Sequence, residues 1–373
     1  MTRPLRLLFF TPFASRTGSE MMLWYLLKHF DRTRFQVGLV CFSRGELLGE
    51  VPPDVPVWVA PKTFSVWGKI SHQLGRNPLH AAVRSAHRAF KPDLWYVNTM
   101  TLPQVVDVAK TLGVPFLTHV HELPLSYGSV NRQEMRDILE SSALLVGCSE
   151  ATSAALREAT DHDRIVTMHS FIDTSALRPP APDVPHRLRA ELGIGESDFV
   201  WLMSGTTSDR KGFDFFPDLA RLLDDPRIHL VWLGSRLDTG LTYHTEQRCR
   251  RTGPTRVHVV GEKKSDYAAY LQLADGFVLT SRQDPFPLVM IEAAFFGKPL
   301  VSFPSGGVSE FVRPGMGQVV DSWNLSDLAA AMRAVTDGSV VCQPDVSRRR
   351  AAQFDVREHL PAWEALLARF ATA

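Results

Sequence analysis

A strand, loop, helix and strand unit over residues 276–303 is the feature that most constrains the fold of this chain. Gly276 to Thr280 is a short run of β-forming residues, and a polar, proline-containing turn follows it. The pattern predicts a helix from Leu288 to Phe296, which Gly297 ends, and then a second strand. Such a unit predicts parallel strands. The loop after the first strand then lies at the carboxyl edge of the sheet, where open α/β sheets bind ligands.

Two carboxylates stand out in this unit. The predicted helix is apolar on every side except at Glu292, and a carboxylate is costly to bury unless something hydrogen-bonds it. Asp284 lies eight residues earlier, in the loop at the mouth of the unit. Either Glu292 is satisfied by neighbouring backbone, or both carboxylates face hydroxyl groups of a bound ligand.

The rest of the chain alternates strand and helix patterns, which predicts two doubly wound parallel sheets. A chain of 373 residues is too long to fold around one ordinary hydrophobic core, so two domains are expected. The proline-rich residues 177–185 are typical of a stiff linker between them. Two sheets joined in this way leave a cleft, which is a common place for ligands. The predicted domains are 1–176 and 186–355, followed by an amphipathic helix at 356–373. The predicted strands are 5–10, 35–41, 57–60, 94–97, 116–120, 144–148, 165–168, 199–203, 228–233, 257–260 and 276–280.

The composition excludes several classes of protein. Lys and Arg (41) balance Asp and Glu (40), so no overall field attracts nucleic acid. The four cysteines are far apart, which argues against a zinc site or a disulfide framework. No apolar run is long enough to span a bilayer or to form a signal-peptide core. We therefore expect a cytoplasmic protein.

Residues 62–91 carry the one strong charge bias, with six Lys and Arg residues and no acidic residue. Phe64, Trp67 and Phe90 are interleaved with these cations. The stretch is either a solvated basic face or a surface that contacts anionic lipid headgroups or a phosphate-bearing acceptor. The second alternative would place the protein at the inner face of the membrane.

Two loops are candidates for binding phosphate. Gly18 directly precedes a predicted helix, whose free N–H groups could cradle an anion, although a single glycine can also simply turn the chain. Arg210 and Lys211 lie in a small polar loop after the strand at 199–203, and two cations there suit a phosphate ester. The G-x-G-x-x-G pattern of dinucleotide-binding folds is missing from the Gly18 loop, which argues against an NAD site.

His119, His121 and Glu122 lie where a predicted strand ends, and the two histidines share one face of it. They could hold a metal ion, or His121 could be a hydrogen-bonding group at the sheet edge. We favour the second alternative, because no third ligand of matching spacing is visible. We expect no metal and no cofactor.

Together these patterns resemble glycosyltransferase family 4, the nucleotide-sugar transferases of the GT-B fold. The resemblance extends over nearly the whole chain, although Asp284 replaces the first Glu of the family's Glu-x7-Glu motif. The matching segments are 284–292, 305–310 (similar to G-G-x-x-E), 210–212 (R-K-G), 18–20 (similar to G-G-x-E) and 170–179 (similar to N-G-I-D-x-x-x-F-x-P).

The resemblance implies roles for particular residues around a donor. Glu292 would bind the ribose hydroxyls, and Asp284 and His121 would contact the donor sugar. Lys211, with Arg210 beside it, would neutralise the diphosphate.

Other residues would complete the donor site. Backbone amides at Leu288 and Val289 and the Gly18 loop would help to hold the diphosphate, and Glu262 would lie near the base. Thr206 stands where the family often has Arg, so either Arg210 would replace that cation or diphosphate binding would be weaker. The resemblance also implies two Rossmann-like domains that face each other across a cleft, with the helix at 356–373 crossing back to the first.

The implied activity is metal-independent, retaining transfer of a sugar from a nucleotide-diphosphate donor to a hydroxyl acceptor. That acceptor would be a glycan, a lipid-linked compound or a small molecule, in polysaccharide or glycoconjugate biosynthesis. Two alternatives stay open at this point. One is a GT-B-fold binding subunit that has lost catalysis, and the other is a sugar-nucleotide epimerase of the same fold.

Overall fold

A computed structural model of the chain describes residues 3–61 and 77–371, which form two compact units. Unit 1 runs to Ile172 and resumes at Val356, and unit 2 is Asp173–Asp355. Unit 2 thus begins four residues before the predicted linker. That linker is also shorter than predicted, because a helix begins at Asp183.

The sheet of unit 1 contains seven parallel strands in the order β3-β2-β1-β4-β5-β6-β7. The chain builds outward from β1 in one direction and then returns to β4 on its other side. The carboxyl ends of β1 and β4 therefore flank the switch point at which such sheets bind ligands. The strands are β1 Leu5–Thr11, β2 Phe35–Cys41, β3 Val57–Val59, β4 Leu94–Val97, β5 Phe116–Val120, β6 Leu144–Gly147 and β7 Ile165–Thr167.

The helices between these strands cover both faces of the sheet, as parallel strands require. Local signals fix their ends: Asn131 caps one helix in a capping box with Glu134, and Gly113 ends another in the left-handed region at φ 63°. They are α1 Gly18–His29, α2 Pro78–Phe90, α3 Pro103–Leu112, α4 Arg132–Ser141 and α5 Glu150–Ala159.

Unit 2 has a second sheet of six parallel strands in the order β10-β9-β8-β11-β12-β13. Its switch point lies between β8 and β11. The strands are β8 Phe199–Ser204, β9 Ile228–Leu233, β10 Arg256–Gly261, β11 Gly276–Leu279, β12 Leu300–Ser302 and β13 Gly317–Val319. The helices are α6 Asp183–Glu191, α7 Phe216–Leu223, α8 Gly240–Cys249, α9 Tyr267–Leu273, α10 Leu288–Phe295, α11 Val308–Phe311, α12 Leu325–Thr336 and α13 Pro344–Ala352.

The C-terminal segment contains two helices separated by a short break. After α13 the chain breaks at residues 353–355, and α14 then spans Val356–Ala371. The predicted apolar face of α14 is real, because Trp363 and Leu367 are buried. Its partner is unit 1, where the Trp363 ring lies 5.8 Å from that of Tyr96.

Residues 62–76 of the predicted basic stretch lie outside the described residues, including Lys62, Phe64, Trp67, Lys69 and Arg76. The remainder is on or next to α2. Within residues 3–61 and 77–371, every helix is too short or too polar to cross a bilayer.

Candidate functional site

The carboxyl ends of β8 and β11 bring a buried ion pair together at the switch point of unit 2. Lys211 follows β8 and Asp284 follows β11. The Lys211 Nζ donates to the Asp284 Oδ2 at 2.5 Å, and the two side chains are only 14% and 7% exposed. Residues that are 73 positions apart in the chain are thus neighbours at the place where an open α/β sheet binds ligands.

The two loops are fixed to each other by their backbones. Gly212 has φ 73°, and a Cβ there would lie 2.1 Å from the carbonyl oxygen of Thr280. Only glycine permits this conformation and this close approach. The Thr280 hydroxyl also donates to the Lys211 carbonyl oxygen at 2.9 Å. The ammonium of Lys211 is therefore supported by a rigid loop.

Burial lowers the pKa of Lys211 below its ordinary value, and the neighbouring Arg210 lowers it further, while Asp284 opposes both effects. Arg210 itself donates from Nη1 to the carbonyl oxygen of Gln283 at 2.9 Å. Thr206 shares a hydrogen bond of 3.0 Å with the hydroxyl of Ser235. Thr206 and Arg210, which the sequence predicts as site residues, thus lie in the same loop as Lys211, at the carboxyl edge of the sheet.

Glu292 lies in the middle of α10, partly exposed, and its partner is a side chain. The Tyr267 hydroxyl donates to the Glu292 Oε2. Burial raises the pKa of Glu292 to about 6, and the tyrosine hydrogen bond opposes that rise. The sequence offered no signal for Tyr267, because it belongs to α9 and to none of the motifs.

The amino end of α10 points to the same edge of the sheet. Leu288 and Val289 are its first residues, and Pro287 precedes them without a side-chain cap. The backbone N–H groups of a first helical turn have no intrahelical partner, so they are available to an anion. Glu262 follows β10 directly and is exposed.

Unit 1 has a different arrangement at its own switch point. Gly18 is exposed and begins α1, and Glu20 in the same turn is 2% exposed. The hydroxyls of Thr17 and Ser19 donate to the Glu20 carboxyl group, the latter at 2.7 Å. Burial nevertheless raises the pKa of Glu20 to about 7. Glu20, the acidic residue of the segment that resembles G-G-x-E, is thus a buried carboxyl group.

His121 is connected to this turn through Asn98. The Asn98 Nδ2 donates to the Ser19 carbonyl oxygen at 3.0 Å, and its Oδ1 lies 3.3 Å from the His121 Nε2. Burial lowers the pKa of His121 to about 3, so the ring is neutral at pH 7. A carbonyl oxygen only accepts, so the amide orientation is fixed and the His121 Nε2 must donate to Oδ1.

His119 is the buried member of the histidine pair. Its ring lies 3.9 Å from that of His121 and 4.9 Å from that of Trp363, and its Nδ1 is 2.6 Å from the Tyr96 hydroxyl. Both histidines thus make hydrogen bonds, as in the alternative that we favoured. Across the part of the chain that the structure describes, no group of three or more His, Cys, Asp or Glu side chains could hold a metal ion.

Two family models match successive parts of the chain. "Glycosyltransferase Family 4" matches residues 16–176, and "Glycosyl transferases group 1" matches residues 186–351. Glycogen synthase of Mycobacterium tuberculosis is 40% identical over 302 residues, which are 76% of this chain and 69% of the relative. The chain belongs to these glycosyltransferases.

A second relative of this glycosyltransferase is the alpha-galactosylglucosyldiacylglycerol synthase of Streptococcus pneumoniae. It is 25% identical over 248 residues, which are 59% of this chain and 65% of the relative. The match therefore spans slightly less than two thirds of the length of that protein.

Among solved structures, the glycosyltransferase resembles Anabaena HepE in complex with UDP and glucose. The TM-score is 0.80 at 23% sequence identity, over 98% of this chain and all of HepE. Together with the two parallel sheets, this likeness confirms the predicted GT-B fold. The individual roles that the resemblance gives to His121, Glu262 and the other site residues stay predictions.

Proposed function

We propose that this glycosyltransferase transfers a sugar from a nucleotide-diphosphate donor to a hydroxyl acceptor, with retention of the anomeric configuration and without a metal ion. The observation that carries the proposal is the buried Lys211–Asp284 pair at the switch point of unit 2. A cation and the amino end of α10 at one sheet edge suit a diphosphate. Glu292, which lies on the same helix, supplies a carboxylate that would bind the ribose hydroxyls.

The charge at this site fits the chemistry of transfer. Cleavage of the bond between the anomeric carbon and the phosphate oxygen develops negative charge on the leaving diphosphate. Lys211 and the first amides of α10 would stabilise that charge in the transition state without reorganisation. The acceptor oxygen would bond to the anomeric carbon on the face that the phosphate leaves, and its proton would pass to the departing phosphate.

The relatives guide the choice of donor and acceptor. HepE binds UDP and glucose in its crystal structure, so we propose a UDP-sugar as the first donor to test. The Streptococcus relative is named for a glycolipid product, so we propose a lipid-linked acceptor. A glycan acceptor is the next class to test.

The experiment incubates the purified chain with a panel of UDP- and GDP-sugars and measures nucleotide release with and without acceptors. We expect release with one donor, unchanged rates in EDTA, and a product whose anomeric configuration matches the donor. Glu292→Ala should abolish most activity. Binding without turnover across a broad acceptor panel would instead support an inactive binding subunit, and an isomerised donor would support an epimerase.

We further propose that this protein is cytoplasmic and contacts the inner face of the membrane through α2. The support is a basic surface, since Arg88 and Lys91 are exposed and Arg84 is partly exposed. In a flotation assay with vesicles of roughly 30% anionic lipid, the protein should float with the vesicles at low salt. It should be released from them at high salt, because salt screens exposed charges. A failure to float at low salt would contradict this localisation.

A further inference from the structure

The structure gives Asp284 a partner other than a sugar. The resemblance makes it a contact of the donor sugar, yet its Oδ2 accepts from the Lys211 Nζ at 2.5 Å and its side chain is only 7% exposed. The hydroxyl of Ser281 donates to the same oxygen at 3.1 Å. Asp284 thus already holds the ammonium group that the proposed mechanism directs to the diphosphate.

The position of Asp284 is fixed by its backbone. Its N–H donates to the Ser305 carbonyl oxygen at 2.6 Å, and its own carbonyl oxygen accepts from the N–H of Gly307 at 3.3 Å. Asp284 and Gly306 also form an isolated parallel bridge. The backbone of Asp284 is therefore anchored to residues 305–307, whereas the Lys211 ammonium lies at the end of a flexible side chain.

Lys211 needs such an anchor to stay charged and in place. Burial and the charge of Arg210 both favour the neutral amine, and Asp284 acts against them. Removal of one partner from a buried ion pair leaves an uncompensated charge, which is costly. A neutral or displaced amine would not neutralise a diphosphate.

We propose that Asp284 is a positioning residue, which holds the Lys211 ammonium ready for the donor diphosphate. The inference rests on the proposed function, because the diphosphate is the ligand assigned to Lys211. An ammonium has three N–H donors, so one bond to Asp284 leaves two for phosphate oxygens. The role requires no contact between Asp284 and the sugar.

The test separates nucleotide from sugar. Isothermal titration measures the affinity of UDP and of UDP-glucose for the wild type, Asp284→Asn and Asp284→Glu between pH 6 and pH 9. We expect Asp284→Asn to weaken UDP, which has no sugar, by about tenfold at pH 7 and by more as the pH rises. The loss of affinity should grow with pH because the Lys211 amine of the variant loses its proton at a lower pH than that of the wild type. Asp284→Glu should recover most of the affinity, because it restores the charge.

A sugar contact predicts the opposite result. UDP would then bind the wild type and Asp284→Asn within twofold at every pH, and only UDP-glucose would weaken, which would overturn the proposal. If the wild type bound neither UDP nor GDP, the proposed function would be wrong and this inference would fail with it.

A double-mutant cycle covers a loss of folding in the single variant. In a Lys211→Gln background, Asp284→Asn should change UDP affinity by less than twofold, because Asp284 acts through Lys211. Additive effects of the two substitutions would contradict the proposal. Circular dichroism of each variant shows whether the fold is intact.

Discussion

The carboxyl edges of the two sheets have the same strand order but contain different ionisable groups. In unit 1 this edge contains Glu20 and Asn98, which both hydrogen-bond Ser19, and His121, which hydrogen-bonds Asn98 and which burial keeps neutral at pH 7. In unit 2 it contains the Lys211–Asp284 ion pair. The same strand order thus recurs in the two units, while the side chains at the carboxyl edge differ.

The neutral state of the His121 ring has a chemical consequence. A ring with a pKa of about 3 is not a cation at pH 7, so His121 cannot neutralise a phosphate. With its Nε2 proton donated to Asn98, the ring keeps Nδ1 as an acceptor for a hydroxyl group. On the proposed function, the unit 2 edge would bind the diphosphate and His121 would contact a hydroxyl group of the donor sugar.

Removal of the unit 2 cation should have the largest effect on nucleotide affinity. We expect Lys211→Ala to weaken UDP by roughly 100-fold, because a charge-assisted bond is lost and the Asp284 charge is left unbalanced near the diphosphate. Titration calorimetry measures the change. Arg187→Ala, which removes an exposed cation from α6, is the matched control. Equal UDP affinities for Lys211→Ala and the control would show that the Lys211 charge has no part in nucleotide binding.

Removal of the Tyr267 hydroxyl should have a moderate, pH-dependent effect. A carboxylate binds ribose hydroxyls when ionised, so wild-type UDP affinity should fall as the pH drops below about 6, the pKa of Glu292. Tyr267→Phe removes a hydrogen bond that lowers this pKa, so the fall should begin at a higher pH. We expect UDP to bind about threefold more weakly at pH 7, by about 0.6 kcal/mol. Titrations at half-unit pH steps measure the shift.

Tyr243→Phe is the control for this prediction, because Tyr243 is exposed on α8. If both variants gave the wild-type pH profile, the hydrogen bond between Tyr267 and Glu292 would have no part in donor binding.

Neutralisation of the unit 1 carboxyl group should leave UDP affinity unchanged and alter stability instead. The folded pKa of Glu20 is about 7, above its ordinary 4.5, so folding takes up a proton between these values. Wild-type stability should therefore fall as the pH rises from 4.5 to 7 and then level off. Glu20→Gln should lack this loss, which amounts to about 3 kcal/mol at most.

Hydrogen exchange of the α1 amides at pH 5 and pH 8 measures this difference, with Glu140→Gln, an exposed carboxyl on α4, as the control. If Glu20→Gln changed UDP affinity by more than twofold, the charge of Glu20 in unit 1 would influence nucleotide binding. An equal pH dependence for Glu20→Gln and the wild type would show that Glu20 is not the titrating group.

Local patterns predicted most of the fold. The buried strand runs and the residues that end helices, such as Gly297, are short-range signals that a sequence displays directly. β13 was missed because Gly317–Val319 has only three residues and no apolar run. The prolines at 179–185 suggested a longer linker, yet proline is tolerated in a first helical turn, and α6 includes Pro185.

Short-range patterns in the sequence predict two parallel α/β units and the motifs that place Lys211, Asp284, Glu292 and His121 after strands or on the helix that follows. The folded chain was needed to show that Lys211 pairs with Asp284, that Tyr267 hydrogen-bonds Glu292 and that Asn98 hydrogen-bonds His121. The physical reason is that strand order sets which loops become neighbours, and side-chain direction sets which groups meet. Neither strand order nor side-chain direction follows from the spacing of residues along the chain.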